Sequence, residues 1–178
     1  MYFAAITIEL LFAIAFSFIT GSFIYSSLKG SPYVPTRQKE IDKILNNANL
    51  KTGQNFFELG CGDGRISRRA ASQFKVRAVG IDINPFLIWY ARLLAKISKT
   101  DKLRFIKQNI LETDLSKADV VYLFLMPRLI SRLVPKLNDE LKKNTLVISH
   151  GFTIVEWKNK LIKKIEGKPF STFFYKVT

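Results

Sequence analysis

The feature that most constrains the fold is a glycine-rich turn between an apolar segment and a helix. Residues 56–65 read Phe-Phe-Glu-Leu-Gly-Cys-Gly-Asp-Gly-Arg, with glycine at positions 60, 62 and 64. Glycine adopts positive φ without strain and lets a ligand lie against the backbone, and the first N–H groups of a helix have no partner within the helix. The stretch therefore predicts a strand, a ligand-binding turn and a helix that begins near Arg65.

An acid about twenty residues later completes the pattern of a nucleoside site. Asp82 stands near the end of a second apolar segment, residues 78–83, where its carboxylate can accept hydrogen bonds from both ribose hydroxyls. The spacing is not the G-x-G-x-x-G of dinucleotide sites, and Glu58, Asp63 and Asp82 would repel a phosphate. Three carboxylates favour a cationic ligand, and S-adenosylmethionine fits because it carries a ribose, a sulfonium and an ammonium without phosphate. The alternative is an ordinary strand-to-helix turn that binds nothing.

Beyond this turn, segments of strand character alternate with segments of helical periodicity. The predicted strands are Asn55–Leu59 and residues 76–83, 103–107, 120–125 and 145–150, and the predicted helices are residues 66–74, 85–97 and 128–142. Such alternation is typical of an α/β fold with a doubly wound, mostly parallel sheet that helices cover on both faces. Residues 161–165 and 170–177 flank Gly167-Lys168-Pro169 and predict a C-terminal antiparallel hairpin.

The N-terminus is an apolar run, residues 1–28, whose single charged residue is Glu9. A helix of about 26 residues reaches about 39 Å, enough to cross a hydrocarbon core of about 30 Å. Glu9 lies in the N-terminal third, where a carboxyl group can reach the interface or become protonated. A cleaved secretory signal is the alternative, but residues 1–3 supply none of the positive charge that precedes such a signal. We therefore predict one uncleaved transmembrane helix.

The charge distribution bears on orientation and partners. All 28 Lys and Arg residues follow the apolar run, beginning with Lys29, and the formal net charge is +14. The positive-inside rule places the rest of the chain in the cytoplasm, and the single cysteine allows no internal disulfide. An anionic lipid surface explains the surplus charge better than nucleic acid does, because the basic residues are scattered and form no recognisable RNA or DNA module. The sequence shows no cluster with metal-ligand spacing.

The glycine motif and the ribose acid resemble those of class I S-adenosylmethionine-dependent methyltransferases, whose first motif reads E/D-x-G-x-G-x-G. Residues 32–36 (Pro-Tyr-Val-Pro-Thr), 84–92 (Asn-Pro-Phe-Leu-Ile-Trp-Tyr-Ala-Arg) and 148–152 (Ile-Ser-His-Gly-Phe) resemble a narrower group. That group is the membrane-anchored lysine methyltransferases similar to those acting on the c-ring protein of mitochondrial ATP synthase and on adenine nucleotide translocase. The resemblance implies a Rossmann-like domain at residues 54–178, after an anchor at residues 1–29 and a linker with a leading helix at residues 30–53.

The resemblance also implies roles for residues of the cofactor site. Glu58 and the loop after Leu59 would hold the methionine end, and Asp82 would take the ribose. The loop residues in question are Gly60, Cys61, Gly62, Asp63 and Gly64. Ile83 and Asn84 would flank the adenine, and the amide oxygen of Asn109 would accept a hydrogen bond from the adenine amine. Tyr33 and Thr36 would close over the cofactor, although Thr36 is equally well placed to N-cap a helix whose apolar face is Ile41, Ile44, Leu45 and Ala48.

The substrate side is less clearly marked. Residues 125–127 read Leu-Met-Pro and lack the Asp/Asn-Pro-Pro-aromatic motif with which enzymes methylate base amines. A lysine amine needs only to be neutral, and an aromatic pocket can lower its pKa from about 10.4 by desolvation. The candidate pocket walls are Tyr33, Trp89, Tyr90, Phe124 and Phe152, with packing in the core as the alternative role. His150, the only histidine, and Tyr33 are the candidate catalytic residues.

These observations predict a membrane-anchored enzyme that transfers the methyl group of S-adenosylmethionine to a lysine of a membrane-associated protein. One alternative is a methyltransferase that acts on RNA or on a lipid-linked small molecule. The other is a non-catalytic membrane adaptor that binds S-adenosylmethionine.

Overall fold

The first element is a long apolar helix, α1 (Tyr2–Lys29). The structure, a computed structural model, describes residues 2–29 and 31–178. Met1 of the predicted anchor and Gly30 of the predicted linker lie outside the described residues. The segment Tyr2–Leu28 reaches a mean hydropathy of 2.1, and its large apolar side chains, Phe12 and Leu11 among them, are exposed. The helix is therefore long and apolar enough to cross a membrane.

A mixed seven-stranded sheet forms the rest of the fold. Its strands are β1 (Asn55–Leu59), β2 (Arg77–Asp82), β3 (Leu103–Lys107), β4 (Val120–Leu123), β5 (Leu146–His150), β6 (Leu161–Ile165) and β7 (Thr172–Lys176). The spatial order is β3-β2-β1-β4-β5-β7-β6; the first five strands run parallel, and β7 is antiparallel to both β5 and β6. The predicted parallel sheet and C-terminal hairpin are confirmed. The strand order reverses between β1 and β4, which is where ligands bind in such sheets.

Helices cover both faces of this sheet. They are α2 (Gln38–Asn47), α3 (Arg65–Phe74), α4 (Pro85–Ile97) and α5 (Pro127–Glu140), with a 3₁₀ segment at Val155–Lys160. On one face, Ile41 and Leu45 of α2 pack with Phe56 of β1. On the other face, Leu133 of α5 packs with Val121 of β4. The doubly wound arrangement predicted from the alternation of segments is therefore confirmed.

Two local predictions differ from the structure. Thr36 is not the N-cap of α2: Arg37 occupies that position in an extended conformation, without a side-chain hydrogen bond to the helix. Thr36 is instead buried one residue earlier, so its side chain is no longer placed to reach the free N–H groups of the helix. The 3₁₀ segment was not predicted; it forms around Trp157, which is buried and donates a hydrogen bond from Nε1 to Asn138.

Candidate active site

A cavity of about 510 Å³ lies at the carboxyl ends of β1, β2 and β4, within the size range of small-molecule sites. It contains most of the residues that the sequence singled out. Those residues are Tyr33, Thr36, Glu58, Gly60, Cys61, Gly62, Asp63, Asp82, Ile83, Asn109, Phe124 and Phe152. Gly64, Asn84, Trp89, Tyr90 and His150, which the sequence also suggested, do not line it.

Glu58 is a buried carboxyl group at the cavity wall. Its Oε2 accepts hydrogen bonds from the backbone N–H and the hydroxyl of Ser67, in the first turn of α3. Burial nevertheless raises the pKa of Glu58 to about 8, with smaller contributions from the negative charges of Asp63 and Asp82. Within the described residues this group has no ion pair with a Lys or Arg side chain, so a cationic ligand would compensate the charge of its ionised form.

Asp82 ends β2, and each of its carboxylate oxygens accepts one backbone hydrogen bond. Oδ2 accepts from the N–H of Gly62 and Oδ1 from the N–H of Asn84, both at 2.8 Å. Burial raises the pKa of Asp82, and these backbone hydrogen bonds partly oppose that effect. Since a carboxylate offers about four acceptor positions, both oxygens can still accept a ribose hydroxyl.

Asp63 is paired within the protein. The guanidinium of Arg65 binds both of its carboxylate oxygens, with an Nη2–Oδ2 distance of 2.8 Å. The same guanidinium donates to the carbonyl oxygen of Thr36 and to the hydroxyl of Tyr33. Arg65 therefore fastens the segment of residues 31–36, which we call the strap, to the glycine turn.

The strap packs directly on the turn. A Cβ atom on Gly62 would lie 2.7 Å from the ring of Tyr33, so only glycine at this position, with its φ of +55°, allows the ring to approach. Gly64 serves a different purpose from the predicted one. A Cβ there would lie 2.2 Å from the ring of Phe105, so this glycine makes room for packing against β3 and does not face the cavity.

Asn84 also differs from its predicted role beside the adenine. Its Oδ1 accepts hydrogen bonds from the backbone N–H groups of Phe86 and Leu87, which makes Asn84 the N-cap of α4. Its amide Nδ2 donates to the carbonyl oxygen of Ser22 and to the hydroxyl of Ser26, both in α1. The side chain is fully buried and off the cavity wall, because capping and helix contacts use all its polar atoms.

Asn109 follows β3 and faces the cavity together with Glu112. The amide of Asn109 donates to Oε1 of Glu112 at 2.8 Å, and its Oδ1 accepts the N–H of Leu111. This turn fixes the amide oxygen, which keeps one free acceptor position toward the cavity. Sequence reasoning did not identify Glu112, although an acid three residues after an Asn is a short-range signal that was available.

Aromatic side chains line the other part of the cavity. Phe124 and Phe170 meet edge to face with ring centroids 5.1 Å apart, and Phe152 lies 6.5 Å from Phe170. Sequence reasoning identified Phe124 and Phe152 but missed Phe170, which is brought here from the C-terminal hairpin. Trp89 and Tyr90 lie elsewhere, on an exposed face of α4, where Trp89 is 58% exposed. They belong neither to the cavity nor to the core.

His150 stands behind this aromatic wall. Its ring lies 4.6 Å from that of Phe124, and its Nδ1 shares a hydrogen bond with Oγ1 of Thr172. Burial lowers the pKa of His150 to about 4, so the ring is neutral at physiological pH. Because it is buried and does not line the cavity, its position supports the wall rather than a role as proton acceptor.

Tyr33 faces the cavity, but its hydroxyl is a poor proton acceptor. Burial and the charge of Asp63 raise the pKa of Tyr33, although Arg65 opposes the shift. The phenol is therefore neutral and accepts a hydrogen bond from Arg65. Tyr122, which sequence reasoning did not single out, also lines the cavity; burial and Glu58 raise the pKa of this phenol too.

The apolar N-terminal helix contributes directly to the cavity. Tyr25, Ser26 and Leu28, in its last two turns, are part of the lining. The ring of Phe23 lies 6.0 Å from Tyr33 of the strap and 6.1 Å from Phe86 of α4. No local pattern in the sequence signals this arrangement, because it depends on how a helix of uniform apolar character packs against the domain.

Comparison with known proteins gives this cavity a family context. Residues 58–161 match the family model described as the ANTKMT methyltransferase domain. A protein-lysine N-methyltransferase of Saccharolobus islandicus is 42% identical over 139 residues, which cover 76% of this chain and 85% of that protein. A lysine N-methyltransferase of Xenopus laevis, named for the c-ring protein of ATP synthase, is 30% identical over 152 residues, covering 85% of this chain and 65% of that protein.

A solved structure shares both fold and sequence with this chain. It is described as an RNA methyltransferase from Salinibacter ruber in complex with S-adenosyl-L-homocysteine. The two superpose with a TM-score of 0.77 at 33% identity, over 81% of this chain and 94% of that one.

Proposed function

The chain belongs to the ANTKMT methyltransferase domain family and is an S-adenosylmethionine-dependent methyltransferase of the protein-lysine type, and we propose that its substrate is a lysine held at a membrane surface. In this proposal residues 1–29 are the anchor, residues 30–53 the linker and leading helix, and residues 54–178 the catalytic domain.

The observation that carries the proposal is the place of α1 in the cavity wall. A bilayer core of about 30 Å needs about 20 helical residues, so a span that starts near Tyr2 would end near Gly21. Ser22 and Ser26, just beyond that point, bond to Asn84, and Tyr25 and Leu28 line the cavity. The reacting groups would then lie within about two helical turns, or about 11 Å, of the membrane surface.

The charge of the chain supports the same arrangement. All Lys and Arg residues lie on the C-terminal side of the proposed span. The positive-inside rule therefore orients the catalytic domain toward the cytoplasm. Basic residues near an anionic leaflet each contribute about 1 kcal/mol of attraction, which would hold the domain against the bilayer.

The residues of the cavity fit S-adenosylmethionine. Glu58 is a buried acid without an ion-pair partner among the described residues, and we assign it to the ammonium of the cofactor. Asp82 retains free acceptor positions on both oxygens for the ribose hydroxyls, and Asn109 retains one for the adenine amine. Ile83 lies beside Asp82 in the lining, and Tyr33 and Thr36 of the strap cover the glycine turn. Asp63 acts through Arg65, as the holder of the strap.

The chain contributes to methyl transfer mainly by removing water. When bound, the cofactor supplies an electrophilic methyl group; the lone pair of a neutral lysine amine bonds to its carbon as the C–S bond breaks, leaving that electron pair on sulfur. Phe124, Phe152 and Phe170 would surround the amine, and their apolar surroundings lower its pKa and favour the neutral form. The methylated ammonium then loses a proton to water, so neither His150 nor Tyr33 has to act as a base.

The test is to incubate the full chain, reconstituted in vesicles, with methyl-labelled S-adenosylmethionine and membranes of its host. Two model substrates with the same lysine sequence are compared as well, one anchored in the vesicles and one soluble. We expect protease-sensitive label, recovered as methyllysine, and faster methylation of the anchored substrate. Equal rates for the two substrates would contradict the membrane part of the proposal and leave the lysine activity intact.

RNA is the second candidate substrate, because a protein of the same fold at 33% identity is described as an RNA methyltransferase. The high positive charge suits a polyanion as well as a lipid surface. Against this candidate, residues 125–127 lack the motif expected for methylation of base amines. Label that a nuclease removes and a protease does not would favour RNA. Membership of an enzyme family speaks against the alternative of a non-catalytic adaptor.

A further inference from the structure

A groove of about 380 Å³ separates α1 from the catalytic domain, on the outside of the cofactor cavity. On one side it is bounded by a single stretch of α1, and on the other by the turn between β2 and α4 and by the end of β3. The lining residues are Ser17, Phe18, Gly21, Ser22, Tyr25, Ile83, Pro85 and Lys107. Two of them, Tyr25 and Ile83, also line the cofactor cavity, so the groove and the cavity share a wall.

The groove is held open by contacts at its inner end. Asn84 bonds to Ser22 and Ser26, and the rings of Phe23 and Phe86 meet there. Farther out, a Cβ atom on Gly21 would find no described atom within 4 Å. The two walls are thus fixed at one point and apart beyond it, which leaves space for a molecule rather than a packed interface.

The lining combines an apolar surface with one cationic side chain. Phe18, Ile83 and Pro85 offer apolar surface, Ser17 offers a hydroxyl, and none of the described residues that line the groove is acidic. Lys107 is exposed at the end of β3, and its flexible stem can place the ammonium at the rim. An apolar slot with a cation at its rim matches an acyl chain that carries an anionic headgroup. A free phosphate would not need the apolar surface.

The position of the groove in the membrane agrees with this chemistry. With a span that ends near Gly21, Ser17 and Phe18 would lie in the leaflet that faces the catalytic domain, and Lys107 near its headgroups. We propose that the groove binds one anionic phospholipid, its acyl chain along Phe18 and Gly21 and its headgroup at Lys107; this inference rests on the proposed membrane span. Because the lipid would press on the wall formed by Tyr25 and Ile83, its binding would also tighten the hold on the cofactor.

The test uses the full chain in nanodiscs made of phosphatidylcholine alone or with added phosphatidylglycerol. Native mass spectrometry after transfer to mild detergent measures the retained lipid, and calorimetry in the nanodiscs measures the affinity for S-adenosylhomocysteine. The variants are Lys107→Gln, which removes the cation, and Gly21→Leu, which fills the open space without a clash. Lys143→Gln is the matched control, since Lys143 is exposed and lies outside the groove.

We expect wild type and Lys143→Gln to retain one phosphatidylglycerol. Lys107→Gln should weaken retention about fivefold, the equivalent of about 1 kcal/mol for one basic residue, and Gly21→Leu should abolish it. The anionic lipid should tighten cofactor binding in wild type but not in Gly21→Leu. Equal retention in wild type and both groove variants would overturn the inference, as would full competition by soluble glycerol phosphate.

Extraction with alkaline carbonate separates this inference from the proposed function. If wild type and all variants resist extraction while lipid retention does not differ, the span stands and the lipid site falls. If carbonate releases the wild-type chain from vesicles, the membrane part of the proposed function fails, and the lipid site fails with it.

Discussion

The side chain of Asn84 joins the catalytic domain to helix α1 through Ser22. Its Nδ2 donates to the carbonyl oxygen of Ser22 at 3.1 Å, and the hydroxyl of Ser22 donates to its Oδ1. The same Oδ1 caps α4, and the backbone N–H of Asn84 donates to Asp82. One buried amide therefore connects the proposed anchor, the start of α4 and the acid assigned to the ribose.

Replacement of Asn84 by Ala should lower the stability of the fold by more than a surface change would. The variant loses the N-cap of α4, worth about 0.5–2 kcal/mol, and leaves buried polar groups of Ser22 and Ser26 without this partner. Chemical denaturation of the detergent-solubilised protein measures the loss. Ser22→Ala keeps the cap and removes only one side-chain contact, so it should cost less. An equal loss for the two variants would show that the cap contributes nothing.

Replacement of Asp82 by Ala should weaken cofactor binding about ten- to a hundredfold or more, because charge-assisted hydrogen bonds contribute about 1.5–3 kcal/mol. Isothermal titration with S-adenosylhomocysteine measures the affinity. Since Asp82 also accepts the N–H groups of Gly62 and Asn84, circular dichroism must show that the variant is folded. Asp82→Asn is the milder control. Unchanged affinity in a folded Asp82→Ala protein would remove Asp82 from the ribose site.

The affinity for the cofactor should rise as the pH increases toward and through about 8. The pKa of Glu58 is about 8, above its usual value of 4.5, so the free protein holds this carboxyl group protonated at neutral pH. A cationic ligand requires the carboxylate, so binding releases a proton. Calorimetry in buffers of different ionisation enthalpy counts that proton. Glu58→Gln should bind more weakly and lose most of this pH dependence.

The same group should make the ligand-free protein less stable at alkaline pH. A pKa that is higher in the folded than in the unfolded state contributes stability below the unfolded value, and this contribution is lost as pH rises through the folded value. The loss for Glu58 therefore extends from about 4.5 to about 8. Denaturation curves across this range should show the slope in wild type and a smaller slope in Glu58→Gln. Parallel curves would rule out Glu58 as the source.

Loss of the aromatic wall should slow lysine methylation without weakening cofactor binding. Phe170→Leu opens the wall to water, so the lysine pKa falls less and the pH–rate profile should move to higher pH. Steady-state kinetics across pH measures the shift. Trp89→Leu is the matched control: Trp89 is exposed on α4 and outside the cavity, and its loss should leave the profile in place. A profile that moves in both variants would point to a general loss of structure.

Loosening of the strap should speed the release of the cofactor. Arg65→Ala removes the contacts of the guanidinium with Asp63, Tyr33 and the carbonyl oxygen of Thr36. Stopped-flow fluorescence with an excess of competitor measures the dissociation rate, which we expect to rise severalfold. Arg69→Ala breaks an ion pair of the same helix with Asp42, away from the cavity, and serves as the control. Equal rates in the two variants would show that the strap does not retain the cofactor.

The glycine turn, the strands on either side of it and the position of Asp82 could be predicted because their signals are local. Glycine spacing, alternation of apolar segments and the distance to the acid are all properties of consecutive residues. The long N-terminal helix was predictable for the same reason, since its length and uniform apolar composition suffice. The cap of α2 was assigned to the wrong residue, because Thr36 and Arg37 are neighbours and only the backbone conformation decides between them.

What the polar side chains of the site contact was decided by the tertiary structure. The sequence presents Glu58, Asp63 and Asp82 as three equivalent acids, but packing pairs Asp63 with Arg65 and buries Glu58 against Ser67. In the same way, Asn84 is turned from the cavity toward Ser22, 62 residues earlier in the chain. Burial and hydrogen bonding depend on groups distant in sequence, which no local pattern records.

By itself the sequence determined the fold class, the nucleoside-binding turn and a helix long enough to span a membrane. Only the tertiary structure decided how these parts meet. Antiparallel insertion of β7 beside β5 brings the hairpin, and with it Phe170, against Phe124, and packing at Asn84 places α1 in the cavity wall. The reason is physical: local spacing fixes backbone conformation, whereas the shape and charge of a site come from side chains that meet only after the chain has folded.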